Sequence, residues 1–436
     1  MRFRGSATLV VLLAVSLAAV VLVTLQSASL AQAAGGREAV ARVRAKWAAR
    51  AGLEATIARF ERNIQNRDEF SVFTEVLDMQ DVAAGSLDGA RWVIVHNEGT
   101  SGGGQDRVGP QDAHARINIS LMSPDALLTL PNMTEDQAAS IIDWIDADDV
   151  VTDLGAEDSY YLRLPSPYKP RNAPVASLPE LELIAGVDPR DVRGEDWNLN
   201  AVLDPNESDK AESWPEDNGD TTLDPGWSGL VTAASIDEGL SAAGRARLDL
   251  RAATPEQLTG RITGLDATQA RIILDRAFNP EARMQDFIGN SLQALAGSSV
   301  PRGSVTNLDV EQIKQLLDEC TMYDPAEGPQ PGRLNINTCS RETLDSVPEI
   351  SAALADALVF ERGRRAAGFT HIMDLVTEMG LSPRTVSQLA RLIDVRSNAY
   401  IVTARGRDLN TGVEVELQAV VRRTALPAPL TEVLVR

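Results

Sequence analysis

The chain reads as an α+β protein: a long N-terminal helix, an antiparallel sheet whose strands come from both ends of the chain, and a large helical insertion between them. Three observations predict this. Residues 8 to 25, TLVVLLAVSLAAVVLVTL, carry no charge, Pro or Gly. Alternating β-rich runs lie within residues 71 to 98 and again after Asp394. Between them, three segments repeat one helix-turn-helix plan.

The first run is about as long as the helix needed to cross the roughly 30 Å hydrocarbon core of a bilayer. Arg2 and Arg4 stand before Gly5 and Ser6, and the apolar stretch that follows meets no early small-residue cleavage pattern. A basic leader joining an apolar run at a glycine is a prepilin-type signal, which predicts cleavage between Gly5 and Ser6. A secretory signal cut near Ala31-Gln32-Ala33 is the competing reading. Val40, Val43, Trp47 and Ala51, then Leu53, Ile57, Phe60 and Ile64, recur at helical spacing among Arg37, Arg42, Arg44, Lys46 and Arg50. An amphipathic helix therefore prolongs the apolar one to residue 66, with a bend or loosening expected at Gly35-Gly36.

SVFTEVLD and RWVIVHNE, separated by Gly85-Ser86-Leu87-Asp88-Gly89, read as a hairpin. A Gly-rich loop, Thr100 to Gly104, follows. AYIVTARGRDLNTGVEVELQAVVRR, from Ala399, alternates like two strands around Asp408-Leu409-Asn410-Thr411-Gly412, and these should pair with residues 71 to 98. The tail TALPAPLTEVLVR is expected to be less ordered. The three repeats begin at Ile117, Leu248 and Leu334, and each has an N-cap, Ser123, Thr254 or Ser340, before a short helix carrying Leu127, Leu258 or Leu344. A tight turn and a second amphipathic helix complete each pair. The expected organisation is a leader (1–5), a membrane and amphipathic helix (6–66), a sheet (71–116 and 395–423) and a first helical segment (117–190). Acidic loops (191–247), a middle helical repeat (248–330), a C-terminal helix-hairpin-helix segment (331–394) and the tail (424–436) follow.

The net charge is −21, and removing Met1 to Gly5 with its two arginines takes it to −23. Such a surface repels phosphate backbones. Helix-hairpin-helix pairs that grip DNA do so with paired glycines in the turn, whereas these turns read Pro-Asn-Met, Thr-Gly-Leu and Pro-Glu-Ile, the last placing Glu349 where phosphate would sit. Nucleic acid is therefore not an expected partner. A membrane-anchored DNA-uptake protein remains the alternative reading.

The sharpest local signal is DWNLNAVLDPNE, residues 196 to 207. A calcium loop of the EF-hand type takes oxygens from positions 1, 3, 5, 7, 9 and 12, here Asp196, Asn198, Asn200, the Val202 carbonyl, Asp204 and Glu207. Ala201 stands where such loops place glycine for their sharp turn. A second loop from Glu216 repeats the pattern with Asn218, Asp220, Thr222 and Asp224, but Trp227 replaces the final carboxylate. DWIDADDVVTDLGAED, from Asp143 to Asp158, is a solvated acidic surface or a further cation site. Cys320 and Cys339 are a possible disulfide. His96, His114 and His371 have no metal-ligand spacing, and no catalytic motif is visible, so a non-enzymatic role is expected.

These pieces together resemble the minor pseudopilin K family of type II secretion systems. The resemblance rests on R-G-S with its apolar helix, VRAKWAARAGLEATIARF, VIVHNE before RINIS, DWIDADD with GAEDSYY and YKPRNAPVASLPEL, and LNINTCSRETL. It implies processing by prepilin peptidase, N-terminal methylation, a single-pass inner-membrane anchor, a periplasmic pilin-like sheet and a first SAM-like helical segment. It also implies a place at the pseudopilus tip beside I- and J-type minor pseudopilins. Most pilins carry a glutamate at mature position 5 that neutralises a neighbour's terminal amine. Here that position is Val10, which fits a subunit with no neighbour above it. Residues 190 to 330 are longer than the family pattern.

Overall fold

The computed structural model describes residues 6–65, 79–96, 107–201, 203–210, 212–296, 301, 303, 305–422 and 430–435. The leader to Gly5, the run SVFTEVLD, the loop Thr100 to Gly104 and Val202 lie outside the described residues.

Helix α1 spans Ser6–Gln65 without interruption, so Gly35 and Gly36 do not break it. Its first part is the one helix among the described residues long and apolar enough to cross a membrane, and none of that stretch is buried by protein. Its second part is a core element. Ala45, Ala48, Ala49, Leu53 and Phe60 are fully buried against one face of a sheet. Each such large side chain contributes roughly 1.5–3 kcal/mol through removal from water.

That sheet is antiparallel throughout. Its strands are β1 (Ala84–Leu87), β2 (Ala90–His96), β3 (Arg107–Val108), β4 (Gln111–Asp112), β5 (Ala399–Asp408), β6 (Glu414–Arg422) and β7 (Leu430–Val435). The order is β1-β2-β5-β6-β7, with β3 on the outer end of β2 and β4 beside β5. Two expectations are corrected. Gly85, Ser86 and Leu87 are strand rather than turn, and the turn is only Asp88-Gly89, both at positive φ (42° and 79°) as a tight right-twisted hairpin requires. The tail does not trail away, because β7 pairs with β6 and continues the sheet. The approach of α1 to the sheet is set at Gly406, where a Cβ would lie 1.9 Å from the Ala45 carbonyl oxygen. Only glycine allows helix backbone and strand backbone to meet there.

The insertion contains three helical pairs: Pro124–Leu127 with Glu135–Ile145, Pro255–Arg261 with Ala267–Ala277, and Arg341–Asp345 with Ala352–Gly363. In each, the expected N-cap hydroxyl accepts from the third helical amide: Ser123 from Ala126, Thr254 from Gln257 and Ser340 from Thr343. A two-residue strand before each pair closes by parallel pairing with one after it: Ile117 with Val231, Leu248 with Cys320 and Leu334 with Ile393. The first and third pairs share one core, which runs from Ile117 through Trp144 and Tyr161 to Phe369 and Ile393. The middle pair has its own, centred on Leu258, Ile273, Phe287 and Leu316.

This division corrects the possible disulfide. Cys320 is buried in the middle core and Cys339 in the shared one, and both are free. Burial pushes each thiol up to about 12, so neither is a poised thiolate.

Candidate metal centre

The two acidic loops follow the short helix Pro189–Arg193 and adopt one backbone conformation twice. In the first loop, Leu199 and Ala201 stand at φ 57°. In the second, Gly219 and Thr221, at the same two loop positions, stand at φ 70° and 67°. Left-handed residues at these places are what a loop needs to turn its oxygens inward, and Ala201 meets the requirement despite its Cβ.

Side chains close the first loop around a common centre. Asp196 Oδ1 accepts from the Asn200 amide at 2.9 Å and Oδ2 from the Ala201 amide at 2.8 Å. Asn198 and Asn200 side-chain amides both donate to Asp204 Oδ2, at 2.7 and 3.1 Å. Glu207 Oε1 accepts from the Trp197 amide and Oε2 from the Asp204 amide, both at 3.0 Å. The structure thus gathers the five predicted side chains. Val202, whose carbonyl was the sixth expected ligand, is outside the described residues. Glu207 is 1% exposed, and its pKa is pushed up to about 7, first by burial and then by Asp196 and Asp204. A buried carboxylate held among other carboxylates is an uncompensated charge that a divalent cation would relieve. Among the described residues, no three His, Cys, Asp or Glu side chains form a metal-binding group alone, so this donor set depends on asparagine and backbone oxygens. That mixture is the oxygen chemistry of calcium sites rather than zinc sites.

The second loop mirrors the first, with Asn218 donating to Asp224 Oδ2 at 3.1 Å, as Asn198 does to Asp204. Its missing terminal carboxylate is supplied by Glu195, which the sequence reading did not find. Glu195 Oε1 accepts from the Asn218 amide at 3.0 Å and Oε2 from the Asp224 amide at 3.1 Å, much as Glu207 does in the first loop. Burial raises the Glu195 pKa, and the two backbone donors partly offset that. The only sequence signal was an acidic residue directly before Asp196. Trp227 is free for packing, being 1% exposed with its Nε1 bonded to the Pro131 carbonyl at 2.8 Å. It pins the end of the second loop to the turn of the first helical pair.

The centre also touches the sheet. A cavity of about 220 Å³ separates them, lined by Asp196, Asn198 and Asn200 on one side and Thr403 and Gln418 on the other, with Arg116 between. Burial lowers the Arg116 pKa, while the charge of Asp196 raises it.

The acidic run is not simply a solvated surface. Asp143 is fully buried and accepts from the Thr152 amide through both oxygens, at 3.1 and 3.2 Å. Glu157 is 1% exposed with neither carboxylate oxygen hydrogen-bonded, and its pKa is raised to about 6 by burial first and Asp143 next. His96 and His114 face the Gly109 and Arg333 carbonyls at 2.8 Å, and His371 accepts from the Met373 amide at 3.0 Å.

Comparison with known proteins bears on this same region. Residues 111–194 match the family model described as type II secretion system protein K, first domain. This segment is similar to type II secretion system protein K. A protein of that name from Pectobacterium carotovorum subsp. carotovorum is 42% identical over 50 residues, which are 12% of this chain and 15% of that protein's length. Residues 331–394 match the helix-hairpin-helix motif. The crystal structure of the GspK–GspI–GspJ complex from enterotoxigenic Escherichia coli aligns with a TM-score of 0.46 at 14% identity, covering 92% of this chain and 99% of that one. The protein K resemblance and the mixed helix-and-sheet class read from the sequence are thus borne out. The matched first domain ends at residue 194, immediately before Glu195 and the paired loops.

Proposed function

We propose that this protein is a non-enzymatic minor pseudopilin of a type II secretion system, initiating and capping a short filament that drives protein export across the outer membrane. One observation carries the reading: a segment matching the protein K first domain is inserted in an antiparallel sheet packed on a helix whose first part is a long exposed apolar run. In this reading Ser6 is the mature, methylated N-terminus left by prepilin peptidase. Residues 6 to about 26 anchor the chain in the inner membrane, with the rest in the periplasm. The partners are I- and J-type minor pseudopilins, named beside a K-type subunit in the aligned complex. The rival DNA-uptake reading has less support, because the third helical turn keeps an exposed Glu349.

Asp196, Asn198, Asn200, Val202, Asp204 and Glu207 hold calcium, and Glu195 equips the second loop in the same way. Calcium neutralises carboxylates that are otherwise buried together, and the chain's own part is to fix the loops between the first helical pair and the sheet.

Mass spectrometry of the N-terminal peptide of membrane-extracted protein tests the filament reading. Ser6 as first residue supports it, and a start near Gly35 overturns it. Co-purification of coexpressed I- and J-type subunits tests the partners.

A further inference from the structure

A second cavity, of about 330 Å³, lies where the middle helical pair meets the C-terminal segment. Its charge opposes that of the chain. Five arginines line it, Arg247, Arg283, Arg333, Arg391 and Arg396, against two carboxylates, Asp237 and Asp394, in a protein of net charge −21.

The arginines fall into two sets. Arg247 is bonded to Asp237 and Arg333 to Asp394, each at 2.9 Å, and Arg396 is paired with Asp318. These three form a fixed, largely neutralised wall. Arg283 and Arg391 are exposed at the rim, one from each side of the junction, and among the described residues neither guanidinium has a hydrogen bond or ion pair. The Tyr323 hydroxyl lies on the wall side of the cavity, among Asp237, Arg247 and Arg333. Asp394 is held down to about 2, its burial outweighed by Arg333 and Arg396, and His371 is pushed down to about 4 by burial and then by Arg396.

We infer that this junction is a binding site for a small multivalent oxyanion of the phosphate class, captured between the free guanidinium groups of Arg283 and Arg391. Guanidinium forks match the oxygens of phosphate in bidentate geometry, which two unpartnered groups facing one cavity can supply together. Occupancy would add a bridge where the two cores already meet, through Gln285 to the Ala390 carbonyl at 2.9 Å, the Ser387 hydroxyl to the Gln285 carbonyl at 2.7 Å and Lys314 with Asp374 at 3.1 Å.

The test is isothermal titration of inorganic phosphate into the full-length detergent-solubilised protein, in calcium-free buffer at constant ionic strength, with acetate as the monovalent comparison. Saturable phosphate binding, weakened about tenfold or more in Arg283→Gln/Arg391→Gln, is the expected result. Both arginines are exposed, so the double variant should keep the wild-type circular dichroism and melting temperature in the absence of phosphate. Phosphate binding that is absent, no stronger than that of acetate, or unchanged in the double variant overturns the inference.

Discussion

The sheet region and the paired loops solve opposite problems. Around α1 and β5, order comes from apolar side chains and from backbone surfaces that meet at Gly406, and Leu53, Phe60, Tyr400 and Val402 are all fully buried there. Around residues 195 to 227 there is little apolar core. The chain is held by carboxylates accepting from backbone amides, in a conformation that puts Leu199, Ala201 and Thr221 at positive φ. The first kind of order is expected to be insensitive to ions and mild acid, while under the calcium proposal the second depends on both. Each experiment below is meant to break that contrast or to sharpen it.

The largest effect belongs to the sheet. Gly406→Val would drive a side chain into the Ala45 carbonyl and the Ala49 amide, at 1.9 and 2.6 Å. Neither can retreat without lifting α1 from the strands, so a loss exceeding about 4 kcal/mol is expected, seen as failure to accumulate folded protein. Gly260, in the helix Pro255–Arg261, has nothing within 4 Å of its Cβ position, and Gly260→Ala should stabilise by about 0.5–1 kcal/mol. Similar melting temperatures for Gly406→Val and wild type would refute this account of the helix-to-sheet contact.

Next in size is the ion dependence of the loops. Calcium at about a hundred times its dissociation constant should add roughly 2.7 kcal/mol, read as a rise in melting temperature over the chelated protein. Asp196→Asn with Glu207→Gln should abolish the response of the first loop, and Glu195→Gln should remove the contribution of the second alone. A wild-type melting curve that is the same with calcium and with chelator would remove the metal from the argument.

What was legible in the sequence follows the same divide. Periodicity exposed α1 and β5, because a 3.6-residue or two-residue repeat is written into the side chains that face a core. The first loop was legible because all its ligands lie within twelve residues. Glu195 was not, because it completes a loop that begins 21 positions further on, at Glu216, and contiguous spacing cannot show that. Gly85 to Leu87 read as turn because small and polar residues mark turns, yet pairing with Ala90 to Trp92 overrode that propensity. The rim arginines were invisible, since Arg283 and Arg391 come to line one cavity only through the packing of two separate helical segments.

A smaller effect is the response to pH. Glu207 has a folded pKa of about 7 and Glu157 one of about 6, both above the ordinary value of 4.5. The folded chain therefore binds more protons than the unfolded chain between pH 4.5 and those values, and stability falls as pH rises through this window. In chelator, melting temperature should drop between about pH 5 and 7.5, by an amount on the order of 1 kcal/mol for Glu207. Glu207→Gln should flatten the upper part of the slope. A chelated protein that becomes more stable across the same interval would show that these carboxylates are not strained by burial.

The smallest effect is expected from redox conditions. A bridge between Cys320 and Cys339 would be worth about 2–4 kcal/mol to the folded state, and reductant would remove it. The thiols belong to two separate cores, however, and both stay protonated at neutral pH because burial pushes them up to about 12. Reductant should leave the melting temperature within about 1 °C, and alkylation should be negligible until denaturant is added, when both thiols react. A fall of several degrees on reduction would mean that the middle and C-terminal cores are covalently joined.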